Sequence, residues 1–229
     1  MGDCFLNREA GKLRSGPGSI QLYLLGRASV PVAIFIIFSV FLVMTLAGCS
    51  NPASDPQKSL VPFYGEGSYE VIIFTDYFCP PCREFESELD LFLNQLMEKG
   101  VAKITFVDAP VNKLTSMYGK YLLYAANASS DFWDIQRARK VLFSIAETNV
   151  VSTEESLVSE LKAQGIALKP YDLSKVVPVL NEILKSHDIR STPACVVKYS
   201  STDIRKYMGP EEIKRGLSLL LSSIKPVKR

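Results

Sequence analysis

Histidine is almost absent from the chain. His187 is the only one in 229 residues, too isolated for a metal-ligand set, and it reads as a helix C-terminal residue interacting with the dipole. Cysteine is sparse as well: Cys4, Cys49, Cys79, Cys82 and Cys195. No second C-x-x-C accompanies the pair at Cys79 and Cys82, so half of a structural zinc site is missing and no metal is expected. A purely structural disulfide is the other alternative, and redox chemistry is the reading adopted. No basic patch stands out, which argues against nucleic acid as a partner. The formal net charge is +2, and Arg8, Lys12, Arg14 and Arg27 against Asp3 and Glu9 account for all of it. There are no internal repeats and no low-complexity tracts. With 47% hydrophobic content, a chain of this length buries one good core rather than two.

One long apolar run is present. Val30 to Ala47 is uncharged over 18 residues and follows Arg27. A basic flank, an apolar stretch and small residues at its close make a secretory signal. The close, Leu46-Ala-Gly-Cys49, resembles the bacterial lipobox, in which the cysteine is acylated and becomes the mature N-terminus. An uncleaved membrane anchor is the alternative, since the run is long enough to span. Either way the positive flank keeps the N-terminus inside and the rest outside, in an oxidising compartment. The expected division is therefore a signal or membrane segment over 1–48, a lipid-anchor cysteine and tether over 49–66, and a folded domain over 67–229. The tether carries Pro52, Pro56 and Pro62 among small polar residues. Cys4 is given no role.

The chain is organised around residues 74–82, Phe-Thr-Asp-Tyr-Phe-Cys-Pro-Pro-Cys. Tyr69 to Thr75 is apolar and rich in β-branched residues, a buried strand by pattern. Phe85, Leu89 and Phe92 recur at helical spacing, so a helix is predicted over 82–99, closed by Gly100. The cysteines thus sit where strand gives way to helix, where unpaired N–H groups and the dipole favour a thiolate. Pro80 suits the first helical position. Ala102 to Asp108 is a second strand, parallel to the first through a βαβ connection.

These nine residues resemble the active-site segment of the DsbA-like branch of the thioredoxin superfamily. Asp188 to Val197, Asp-Ile-Arg-Ser-Thr-Pro-Ala-Cys-Val-Val, is similar to that family's segment in which a Thr-Pro bond is cis beside the active-site disulfide. The resemblance covers roughly residues 67–224. It implies an α/β thioredoxin fold with a helical insertion, about 114–186, between the active-site βαβ half and the cis-Pro strand. Within the insertion, Ser152 to Glu155 is a capping-box signature, and Leu173, Val176, Val177, Leu180 and Leu184 form an amphipathic helix bent near Pro178. A strand at 195–199, a hairpin partner at 205–208 and a helix opened by Pro210 complete the domain, with Ile213, Leu217, Leu220 and Ile224 facing the sheet.

By the family pattern Cys79 is the nucleophile and Cys82 resolves the mixed disulfide, with Pro80 and Pro81 between them. The backbone at Thr192 would bond an extended substrate segment, and Pro193 would keep the pair accessible. The Cys79–Cys82 disulfide is itself the redox group, and no cofactor is implied. The family's buried acid, six residues before the first cysteine, is replaced by Ile73, and Asp76 reads as a turn or capping residue. Pro81 lacks an N–H that could serve the Cys79 thiolate, so the pair is expected to be less oxidising than the strongest family members. Cys195 reads as a small buried core residue, or else a third thiol near the pair. Tyr77 and Phe78 form either an apolar rim or core. The implied function is extracytoplasmic, membrane-anchored thiol–disulfide exchange on exported proteins, reset by a membrane or periplasmic redox partner. The rival is a binding protein of the same fold, a chaperone or copper carrier.

Overall fold

The computed structural model describes residues 60–148 and 151–223. The signal, Cys49, Ile224 and residues 49–59 of the tether lie outside them. The last part of the expected tether is instead part of the folded domain: Val61 and Tyr64 are buried, and Tyr64 pairs with Ile104, so the domain begins before residue 67. The elements follow in the order β1 (Tyr69–Thr75), α1 (Pro80–Glu98), β2 (Ala102–Asp108), α2 (Thr115–Ala128), α3 (Phe132–Thr148), α4 (Glu154–Ala163), α5 (Leu173–Ser186), β3 (Ala194–Lys198), β4 (Ile204–Met208) and α6 (Pro210–Ser223). The four strands form one sheet in the order β2-β1-β3-β4. β1 pairs parallel with β2 and antiparallel with β3, which pairs antiparallel with β4. This is a thioredoxin-like fold.

β1 lies inside the sheet, so both of its faces must be covered, and Val71 to Thr75 are all buried. Because side chains alternate along a strand, Val71 and Ile73 enter one core and Ile72 and Phe74 another. The larger core takes Leu89, Leu93 and Leu96 of α1, Leu217 and Leu220 of α6, and the inner faces of α2, α3 and α4. The smaller one closes under Leu180, Ile183 and Leu184 of α5. The stretch expected as one helical block is therefore divided by the sheet, with three helices on one side and α5 on the other. Val177, expected on the inner face of α5, is exposed, whereas Val176 is buried.

Local signals place most boundaries. After α1, Gly100 has φ +61°. Its N–H reaches Met97 O at 2.9 Å and that of Val101 reaches Leu96 O at 3.3 Å, a left-handed C-terminal cap that suits glycine. The cap of α4 differs from expectation: Thr153, not Ser152, is the N-cap, and its side chain accepts from Ser156 N. α5 runs through Pro178 without interruption. His187 caps its end, but the ring lies edge-on to Phe74, and burial, with Lys198 and Lys206, holds its pKa below the usual value. That lowering works against a charged ring at the helix end. That place is taken by Lys206, whose Nζ donates to His187 O at 3.0 Å.

Candidate active site

The turn that leads to the two cysteines begins one residue past β1. Asp76 Oδ1 accepts from Phe78 N at 2.7 Å, and Cys79 N donates to Asp76 O at 3.2 Å, which folds residues 76–79 into a tight turn. Cys79 is the N-cap of α1, with Pro80 at the first helical position and Pro81 next. Neither proline has an N–H, and the next two donors, Cys82 N and Arg83 N, both turn to Cys79 O at 3.0 and 3.1 Å. The Cys79 thiol donates instead to Thr192 O at 3.3 Å.

Thr192 comes from the far end of the sequence, and sheet register brings it there. Phe74 pairs with Ala194 across the antiparallel β1–β3 ladder, so the residues just before β3 lie beside those just after β1. The Thr192–Pro193 peptide bond is cis. The two cysteines differ sharply in environment. Cys79 borders a hollow of about 360 Å³ formed by Phe78, Pro80, Val111, Asn112, Arg190 and Thr192 among others. Cys82 is enclosed at 1% exposure. Burial pushes its pKa up to about 12, against the pull of the Thr192 side chain and with a further push from Cys79. Both are free thiols in this structure.

The other residues singled out from the sequence are less central. Cys195 is enclosed in the larger core opposite Ile73 and Tyr207, and burial alone raises its pKa. Ile73 is core. Tyr77 is wholly buried, its ring tilted against Phe143 at 4.9 Å, while Phe78 is only partly buried. Asp76 is a turn residue, and more than that. Its Oδ2 also accepts from Val111 N at 2.9 Å, Asn112 N at 3.0 Å and Thr115 Oγ1 at 2.8 Å, so one carboxylate ties the Cys79 turn to the β2–α2 loop.

Sequence reasoning missed a buried charged group behind the motif. Arg139 Nη2 donates to both Glu86 oxygens at 2.8 Å, and Nη1 lies 3.4 Å from Thr75 Oγ1. The guanidinium stacks on Phe106, 4.1 Å from the ring centroid. Tyr77 OH donates to Asp108 Oδ2 at 3.1 Å. Asp90, also buried, reaches Lys140 at 2.8 Å. A signal existed: Cys82, Glu86 and Asp90 fall one helical turn apart on the α1 face that carries Phe85, Leu89 and Leu93, and Arg139 falls between Ile135 and Leu142 on the inner face of α3. Among the described residues no group of three or more histidines, cysteines or carboxylates is placed to hold a metal.

Asp108 keeps some surface as a residue, but its carboxylate is enclosed, and Oδ1 has no hydrogen-bond partner among the described residues. Burial pushes the carboxyl from 3.8 up to about 7, opposed by Arg139 and the Tyr77 hydroxyl. Between those values the folded protein keeps a proton that the unfolded chain has released. Its contribution to stability is thus full below about pH 4 and lost as pH rises through about 7. Asp108→Asn removes this titration. Between about pH 4.5 and 7.5 the wild-type protein is expected to lose about 2–4 kcal/mol more than the variant. Urea titrations at the two pH values check this, and equal losses in both proteins would contradict it.

A family model described as Thioredoxin matches residues 64–216. No curated protein matches the chain. The thiol-disulfide exchange protein alpha-DsbA2 of Wolbachia pipientis superposes with TM-score 0.51 at 18% identity, over 70% of this chain and 87% of that one. A periplasmic thioredoxin-like protein of Salmonella enterica serovar Typhimurium gives 0.53 at 16%, over 75% and 94%. The catalytic domain of Proteus mirabilis ScsC gives 0.51 at 17%, over 72% and 90%. At such identities the likeness is one of fold.

Proposed function

The chain belongs to the thioredoxin family, and from that premise we propose that it is a DsbA-like protein thiol–disulfide oxidoreductase working on exported proteins. One observation carries the reading: an accessible Cys79 and an enclosed Cys82 one helical turn apart, with the Cys79 sulfur against the carbonyl that precedes a cis-proline. The names of the similar structures, a thiol-disulfide exchange protein and a periplasmic thioredoxin-like protein, agree with it.

In the reductive direction the Cys79 thiolate attacks one sulfur of a substrate disulfide. That S–S bond breaks, a Cys79–substrate disulfide forms, and the other substrate sulfur leaves as a thiolate and takes a proton. Cys82 then gives up its proton and attacks Cys79 Sγ, releasing the second substrate thiol and leaving the Cys79–Cys82 disulfide. Two electrons have passed to the substrate. The oxidative direction runs the same steps backwards. Thr192 and Pro193 flank the reacting sulfur, where the Thr192 backbone can bond an extended chain, and Pro80 and Pro81 hold the first turn of the helix. The basic flank, the apolar run and the Cys49 motif support placement outside the cytoplasm on a lipid anchor, with a membrane or periplasmic partner to reset the pair.

Cys82→Ser is expected to accumulate a mixed disulfide with a disulfide-bonded peptide, and Cys79→Ser to form none. Mass spectrometry of the quenched mixtures reads both. A Cys82→Ser protein that captures nothing would sink the proposal. Equilibration of the wild-type pair against glutathione assigns direction: about −120 mV makes a disulfide donor, and about −230 to −270 mV a reductant.

A further inference from the structure

The sheet order β2-β1-β3 sets what surrounds the hollow beside Cys79: Val111 and Asn112, which follow β2, come from one side of β1, and Arg190, Ser191 and Thr192, which precede β3, come from the other. Val111 is the unusual member, an aliphatic side chain 73% exposed at the tip of a loop. Such a residue would ordinarily be free to move. This one is held: its N–H is shared between Asp76 Oδ2 at 2.9 Å and Ala109 O at 2.8 Å, and Asn112 N binds the same carboxylate oxygen at 3.0 Å. Asp76 is itself only 1% exposed and also holds the Cys79 turn. The backbone at Val111 is therefore tied to the Cys79 turn through one carboxylate, while the side chain stays in water. Across the hollow the Arg190 side chain is 83% exposed. Its Nε donates to Asp188 Oδ1 at 2.7 Å, and its terminal nitrogens make no hydrogen bond among the described residues.

We propose that Val111 and Arg190 determine which cysteine segments the site accepts. The reading rests on Cys79 being the exchanging thiol. In an extended segment, side chains alternate, so those sharing a face with the substrate cysteine lie two residues before and two after it, about 7 Å away on either side. The hollow matches a segment with an aliphatic or aromatic side chain at one of these positions, resting on Val111, and a carboxylate at the other, meeting Arg190. The substrate class is thus an unfolded chain whose cysteine is bracketed, at two residues' distance, by one apolar and one acidic side chain.

The test uses the full chain with its pair oxidised, and peptides Gly-Leu-Ala-Cys-Ala-Glu-Gly, the reversed order Gly-Glu-Ala-Cys-Ala-Leu-Gly, and the same frames with Ser for Leu or Lys for Glu. The second-order rate constant is measured for attack of each peptide thiolate on the Cys79–Cys82 disulfide, which forms the Cys79–peptide disulfide and releases the Cys82 thiol. In the better of the two orders, Leu is expected to beat Ser about three- to fivefold. Glu is expected to beat Lys about twofold at low salt, with the difference gone in high salt. Val111→Ser should bring the Leu/Ser ratio to about one, with Val111→Ile restoring it, and Arg190→Glu should invert the Glu/Lys ratio. Ratios unchanged by the variants, or a wild-type protein indifferent to both positions, would overturn the inference. Reduction by dithiothreitol separates the two levels. A wild-type pair that dithiothreitol turns over, but that shows no peptide preference, defeats only the proposal on Val111 and Arg190. A pair that never forms or never exchanges defeats the thiol–disulfide reading beneath it.

Discussion

Arg139→Ala is expected to cost about 3–5 kcal/mol of folding stability, the range seen when one partner of a buried ion pair is removed. Arg139 has no exposed side-chain surface, and Glu86 has almost none. Burial already raises the Glu86 pKa, with Arg139 as the main opposing influence and Asp90 adding to the rise. Removing the guanidinium leaves a carboxylate that must stay charged in an apolar surrounding or take up a proton. It also empties the space above the Phe106 ring and leaves Thr75 without that donor. The pair is not therefore a net source of stability. Arg139 Nε has no hydrogen-bond partner among the described residues, and desolvating two ions costs several kcal/mol on each side. Arg139→Met combined with Glu86→Leu is accordingly expected to recover most of the loss, coming within about 1 kcal/mol of wild type. Urea titration of the three proteins decides: a single variant within about 1 kcal/mol of wild type would contradict the argument.

Asp76→Ala is expected to cost about 2–4 kcal/mol, because three donors then lose their acceptor at once and Val111 N keeps only Ala109 O. Phe78 N, Val111 N, Asn112 N and Thr115 Oγ1 all point to that carboxylate. Water can replace it only where the loop opens. Asparagine is no rescue, since its NH2 group would face donors where an acceptor is needed. The loss is local as well as global. Amide exchange at Val111 and Asn112 should quicken more in the variant than exchange in β1, whose ladders do not involve Asp76. A stable variant with unchanged exchange at those two amides would show that the carboxylate is not what joins the loop to the turn.

Much of this architecture is legible in the chain because its signals are local. β1 and β2 are written in contiguous β-branched and apolar residues, and their observed ends coincide with the expected ones. α1 starts at Pro80, two residues before the expected start at Cys82 and at the position that suits its proline, and ends one residue before Lys99, with Gly100 closing it. The cysteine pair proposed as the redox centre is legible for the same reason: a turn of helix separates its members, and the segment around them has a recognisable family pattern. The Thr192–Pro193 site depended on that resemblance, since nothing in its own few residues ties it to Cys79.

What stayed hidden involves partners far apart in sequence. Glu86 and Arg139 were visible as charges on inward faces, yet each looks like an error of patterning until the other is placed beside it. Asp76 reads as a turn residue because its bond to Phe78 is local, whereas its bonds to Val111, Asn112 and Thr115 cross the first βαβ unit. His187 reads as a cation at a helix end until Phe74 and Lys206 surround it. α5 shows an apolar face but not which side of the sheet that face will cover. The sequence by itself determined the strands, most of the helices and the spacing of Cys79 and Cys82 at the start of one of them, because backbone preference is a property of short stretches. Only the tertiary structure decided which charges are buried, which face α5 covers and what stands around Cys79, because burial and electrostatic pairing depend on groups that the chain brings together only when it folds.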